Sequence, residues 1–220
     1  MNALCSPIVP PRRHLFEPEL RARVTHHLES FNHVELAKER PELRPAAVAL
    51  IITPDDEGRA CFFLTRRPAH LKRHARQWAL PGGRLDEGET TVAAALRETR
   101  EEIGLVVDER DVLGRLDDFP TRSGFRMSPV VCWSDSTAPL QPDPAEVERL
   151  HVVPLDELDK PAVPVLREIP ESDRPVLSIP MLGTLIHSPT AAVLFQMREV
   201  ALHGRDTRVS HYEQPLFAWK

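Results

Sequence analysis

The sequence predicts a mixed α/β fold, built as one domain over residues 17–220 behind a loose tail, 1–16. Three observations predict it. Residues 46–53 (AAVALIIT) are a continuous β-type apolar run, the pattern of a strand buried on both faces. Residues 89–103 carry a long helical period, with Val92, Ala95, Leu96, Thr99 and Ile103 on one apolar stripe. The order helix, strands, long helix, strands, helix, joined mostly by short connections, belongs to a mixed fold.

Each element has a local cause. Leu20, Val24, Leu28 and Phe31 recur at helical spacing and predict an amphipathic helix over 17–31. DDEG (55–58) is a turn, and CFFLTRR (61–67) is the returning strand. Gly104 ends the long helix in a left-handed cap. LGRLDDF (113–119) and RMSPVVCW (126–133) read as two strands joined through the turn TRSG. Ten prolines between 139 and 189 limit regular structure there and mark an excursion from the domain. Within it, LHVVPLDEL (150–158) predicts a short strand and then a short helix with Pro154 at its first position. In 188–204, Ser188 is the expected N-cap, Pro189 the first helical residue and Gly204 the stop. Residues 185–188 and 209–219 fit neither pattern.

Composition narrows the function classes. The 220 residues are 41% hydrophobic and 28% charged, with a formal net charge of -5. The acidic balance argues against a general nucleic-acid binder. The longest apolar run, Ala46 to Ile52, is far short of the ~18 residues that span a bilayer, so membrane anchoring is not expected. Pro7, Pro10 and Pro11 interrupt any export-signal pattern. Cys5, Cys61 and Cys132 are too few and too scattered for a disulfide framework or a Cys-only zinc site. The expectation is a reduced, cytoplasmic protein in which Cys61 and Cys132 are buried and inert. The ten histidines show no metal-ligand spacing and read as core or surface residues.

Chemistry concentrates in 82–105, GGRLDEGETTVAAALRETREEIGL. On a helix, Glu98, Glu101 and Glu102 stand at i, i+3 and i+4, on a different face from the apolar stripe. One turn is a rise of ~6 Å, so three carboxylates repel there unless a cation lies among them, and hard divalent ions favour such oxygen ligands. A solvated charged face compensated by Arg97 and Arg100 is the bland alternative, and for an isolated E-x-x-E-E it is the better one. The flanks shift that balance. Gly83, then Glu89, then Arg97-Glu98, Glu101-Glu102, Gly104 and the aliphatic Leu105 resemble the Nudix box, G-x5-E-x7-R-E-U-x-E-E-x-G-U. Thr99 departs from it, standing where a bulky aliphatic residue is expected.

The resemblance implies a Nudix-like α/β fold, a mixed β-sheet sandwiched between α-helices, and Mg²⁺- or Mn²⁺-dependent cleavage of a diphosphate joining a nucleoside to another group. It implies that Glu98, Glu101 and Glu102 ligate metal, with the Gly83 carbonyl joining them, and that Arg97 holds Glu89 and Glu101 in place. The general base lies in the box or in a later loop, for which Glu146 in PDPAEVERL is the candidate.

Upstream, FLTRRPAHLKRHARQWALPGG (63–83) resembles the extra motif of the coenzyme A pyrophosphatase branch through Leu64, Thr65, Arg67, Leu71, His74, Pro81, Gly82 and Gly83. Pro68, Lys72, Arg76 and Leu80 depart from it; Arg76 replaces a glycine. LDDFPTRSGFRMSPVV (116–131) looks like the same branch. Arg66, Arg67, His70, Lys72, Arg73, His74 and Arg76 also make a basic wall in an otherwise acidic chain, suited to gripping phosphates. The expected substrate-binding set is Arg67, Lys72, Arg73, His74, Arg76 and Arg122. Trp78 and Phe125 either stack on a base or pack. The expected partner is a small nucleotide: coenzyme A or its thioesters first, with ADP-ribose, NADH or a non-catalytic ligand-binding module as alternatives. A homodimer is left open.

Overall fold

The computed structural model describes residues 14–70 and 75–219. In chain order its elements are α1 (Pro18–Ser30), β1 (Arg44–Pro54), β2 (Ala60–Arg66), β3 (Trp78–Ala79), β4 (Gly82–Arg84), α2 (Thr91–Ile103), β5 (Val112–Arg115), β6 (Phe119–Pro120), β7 (Phe125–Trp133), β8 (Arg149–Pro154), β9 (Val165–Ile169), β10 (Ser172–Met181), β11 (Thr184–His187) and α3 (Thr190–Gln196). The apolar run becomes β1, the central strand. It pairs with β7 in parallel from Arg44↔Phe125 to Ile52↔Trp133, and on its other edge with β4 at its start and β2 at its end, both antiparallel. β8 and β3 extend the sheet from β2; β5 and β6 pair with β7.

The sheet has a helical layer on each face, which explains why β1 reads as continuously apolar rather than alternating. Val48, Leu50 and Ile52 join a core with Leu20, Val24 and Leu28 of α1 and with residues 191–202. Their neighbours Ala47, Ala49 and Ile51 join a second core with Ala94, Ala95 and Ile103 of α2. Period-two alternation is present, but both faces are dry.

Several expectations are corrected. The 113–119 strand is two short ones, β5 and β6, separated at Leu116–Asp118, where the Leu116 N–H bonds to the Pro129 carbonyl and Asp117 and Asp118 turn inward to accept from Val34 and Leu36. The proline-rich stretch holds a second, three-stranded sheet, β9–β10–β11, since its prolines fall at strand ends, in turns or where no ladder donor is required. Pro154 closes β8 and precedes a 3₁₀ turn, Leu155–Asp159. Ser188 does not cap α3; its hydroxyl donates to the Leu177 carbonyl, while Pro189 precedes the helix. The helix continues as a π-type turn, Met197–Leu202. The described end of the tail is tied down, with the Phe16 ring stacked on Trp133 at 4.1 Å. Among the described residues, no helix is long and apolar enough to cross a membrane.

Candidate active site

The glycine pair of the box is placed by β4, where Gly82 faces Val48 and Gly83 faces Ala47 across the ladder. Neither position admits a side chain. A Cβ on Gly82 would lie 2.3 Å from the Ala47 carbonyl oxygen, and one on Gly83 would lie 2.3 Å from Glu98 Oε1. The loop is thus pressed between the central strand and a box carboxylate, a close approach that only glycine permits.

α2 starts where Thr90 Oγ1 accepts the Ala93 N–H at 3.1 Å and stops at Gly104, whose φ of 73° satisfies the left-handed cap. Thr99, the residue that departs from the box pattern, is fully buried and donates its hydroxyl to the Ala95 carbonyl at 2.7 Å, so its polarity is satisfied within the helix. Val92 and Leu96 are only partly buried against the core, and Ala94 takes up part of that face.

Arg97 organises the carboxylates. Its Nε and Nη2 donate to the two oxygens of Glu89 at 2.9 and 3.0 Å, and Nη2 also donates to the Arg84 carbonyl at 3.0 Å. Its Nη1 donates to Glu98 Oε1 and Glu101 Oε2, both at 2.9 Å. These fork contacts fix the guanidinium and the loop together. Glu98 and Glu101 share Arg97, while Glu102 accepts from the Gly82 N–H instead. Among the described residues, no three His, Cys, Asp or Glu groups stand as a ready-made metal cage.

Glu102 is the unexpected member. It is 4% exposed, accepts the Gly82 N–H at 3.2 Å, and has Arg67 Nη1 no nearer than 4.0 Å. Burial, together with the negative charges of Glu146 and Glu98, pushes its carboxyl up to about 8. Glu98 is also raised, by burial first and by Glu101 and Glu146 in part, against the pull of Arg97. Glu146, the candidate from the later loop, therefore lies within electrostatic reach of both. Glu98, beside Gly83, and Glu102, on the Gly82 N–H, present carboxylate oxygens at the same glycine loop, and that donor chemistry fits a hard divalent cation.

A cleft of about 540 Å³ opens beside this cluster, with Gly82 and Gly83 in its wall. Arg66, Arg67, Arg76 and Arg84 line it, and so do Trp78 and Phe125. Phe125 has the Arg44 guanidinium 4.0 Å and the Arg84 guanidinium 5.3 Å from its ring centroid; Trp78 has that of Arg66 at 5.8 Å. Arg76 occupies the left-handed region, φ 58°, at the position where the motif it resembles has glycine. Lys72, Arg73 and His74, expected to bind substrate, lie outside the described residues. Arg122 is a correction. It does not line the cleft; its guanidinium forks onto fully buried Glu213, with Nε–Oε1 at 3.0 Å, because that buried carboxylate needs a counter-charge. Cys61 and Cys132 are buried, and both thiols are pushed up to about 12, chiefly by burial.

Sequence reasoning missed the far wall. Residues from β11 and the C-terminal segment, among them Leu185, His187, Gln214 and Phe217, close the cleft opposite the arginines. No motif marks them; only the return of β10–β11 and of the chain end beside β3 and β7 brings them there.

The chain is similar to several known proteins. Nudix hydrolase 3 of Caenorhabditis elegans is 37% identical over 110 residues, covering 48% of this chain and 46% of that protein. The uncharacterized Nudix hydrolase NudL of Pectobacterium atrosepticum is 35% identical over 122 residues, covering 53% and 64%. The chain thus matches about half to two-thirds of the length of these curated relatives. Among solved structures, the Nudix hydrolase RenU of M. smegmatis aligns with a TM-score of 0.47 at 22% identity, over 72% of this chain and 86% of that one. The family model described as NUDIX domain matches residues 43–173, from the start of the central strand past the box helix and β8, and by that match this chain belongs to the NUDIX domain family.

Proposed function

We propose that the protein hydrolyses the phosphoanhydride of a nucleoside diphosphate derivative, and that coenzyme A or its thioesters are the substrate, cut to 3′,5′-adenosine diphosphate and 4′-phosphopantetheine or its acylated form. The observation that carries the hydrolase reading is the under-neutralised pair Glu98 and Glu102 beside a glycine-floored, arginine-lined cleft. A divalent cation, Mg²⁺ or Mn²⁺, when bound, neutralises the diphosphate and acidifies a water. Glu98, Glu101 and Glu102, with the Gly83 carbonyl, would hold it. Arg97 keeps Glu89, Glu98 and Glu101 in register. Arg67 and Arg76 grip phosphate oxygens from the cleft wall. A carboxylate of the box, or Glu146 from the later loop, would take the proton from the attacking water.

The coenzyme A reading is supported by the 63–83 motif and by a cleft that continues well past the arginines. The test is a panel of coenzyme A, dephospho-coenzyme A, ADP-ribose and NADH, with products identified. Turnover must vanish in excess EDTA and fall at least ~100-fold in Glu98→Gln with little change in melting temperature. Turnover that persists in EDTA refutes the hydrolase mechanism. A preference for dephospho-coenzyme A over coenzyme A refutes the 3′-phosphate reading alone.

A further inference from the structure

The cleft is divided by charge. Among its described lining residues, the charged ones come from the 66–84 segment, while those from 184–218 are uncharged at neutral pH. His187 sits in that second half. It is opposite Ser178 in the β10–β11 ladder, and its Nδ1 is 2.7 Å from Ser178 Oγ. Its ring lies edge-on to Phe217, centroids 5.6 Å apart.

Hydrogen-bond accounting sets the proton. Ser178 is buried, and among the described residues its Oγ has no partner other than His187. A buried hydroxyl must donate. Ser178 Oγ–H therefore donates to Nδ1, and the neutral ring carries its hydrogen on Nε2. Burial, then the charge of Arg167, holds the imidazole below its ordinary range, which keeps it neutral at pH 7. Among the described residues Nε2 has no protein partner, and it is not one of the sealed, unpartnered side-chain atoms. A buried serine thus fixes the ring's hydrogen on Nε2 in a residue that lines the cleft.

We propose that His187 is a specificity-determining residue: held by Ser178, it donates from Nε2 to a carbonyl oxygen on the uncharged, largely apolar arm that leaves the diphosphate and lies against Leu185 and Phe217. This rests on the diphosphate reading above. It adds that the second group presents a carbonyl acceptor, an amide or ester oxygen, at the point where His187 donates.

The experiment is calorimetric titration of the full chain in EDTA, where no turnover is expected, with coenzyme A and ADP-ribose as probes. His187→Phe keeps a ring against Phe217 and removes the donor. It should weaken coenzyme A about tenfold, one hydrogen bond's worth, and change ADP-ribose less than about twofold. His187→Gln, which returns an N–H near the same point, should recover to within about threefold of wild type. Ser178→Ala, which frees the ring without altering the cleft wall, should lose affinity for coenzyme A selectively. Equal losses for both probes, an unchanged coenzyme A affinity in His187→Phe, or a wild type that does not bind coenzyme A more tightly than ADP-ribose each overturns the proposal. Selective binding without turnover in Mg²⁺ would leave it standing and sink the hydrolase reading instead.

Discussion

Glu102→Gln should make the metal-free protein more stable and the enzyme nearly inactive. The carboxylate is 4% exposed, with one 3.2 Å N–H and an arginine 4.0 Å away as its compensation. Its ionisation is pushed from 4.5 to about 8 in the fold. For a carboxyl raised in this way, the folded state is penalised as pH climbs above the unfolded value, and the penalty is complete near 8. At pH 7.5, three pH units above the unfolded value, that is about 4 kcal/mol at most. Relaxation of the site reduces it, and about 2–4 kcal/mol is the working figure. Glutamine keeps an oxygen for the Gly82 N–H and removes the charge. In EDTA at pH 7.5 the variant should therefore melt at least ~4 °C above wild type, with a gap that shrinks toward pH 5. The same variant should lose at least ~100-fold in rate. Differential scanning calorimetry in EDTA across that pH range, paired with product assays in Mg²⁺, reads both. A variant that melts at or below wild type in EDTA would refute the argument, because the buried charge would then be compensated by something other than a cation.

Other outcomes follow from the same physics. Arg76→Gly should raise stability by about 0.5–1 kcal/mol, since an arginine at φ 58° costs more than glycine's extra unfolded-state freedom, and a lower melting temperature would show that the arginine side chain repays its strain. Glu213→Gln should destabilise by about 2–3 kcal/mol at pH 7, because Arg122 and Arg174 lose a fully buried partner. The Glu213 carboxyl is held down to about 2, against burial, by Arg122, the Gln214 N–H, Arg174 and Ser172. Its contribution is whole above 4.5 and fades as pH falls toward 2, so wild type and variant should converge in acid denaturation. Iodoacetamide at pH 8 should leave Cys61 and Cys132 unlabelled in the native protein and label both in urea; native labelling of either, seen by peptide mass mapping, contradicts their burial.

What the amino-acid sequence determined alone is whatever local chemistry dictates. The run 46–53 read as a buried strand, Gly104 suited the cap that closes α2, and the spacing from Gly83 to Glu102 carried the resemblance to the family. The tertiary structure decided the rest, because burial and proximity depend on what arrives from elsewhere in the chain. Helical periodicity put Glu102 on a polar face, yet the approach of Gly82 and the loop of Glu146 buried it. Arg122 read as a substrate ligand until Glu213, 91 residues later, claimed it. The prolines of 139–189 suggested an irregular excursion, but ladder pairing across β9, β10 and β11 needs none of the N–H donors that those prolines lack. His187 was one histidine among ten. A ladder partner at Ser178 and a cleft built from the opposite end of the chain gave it a direction, and direction is a property of three-dimensional neighbours, not of spacing.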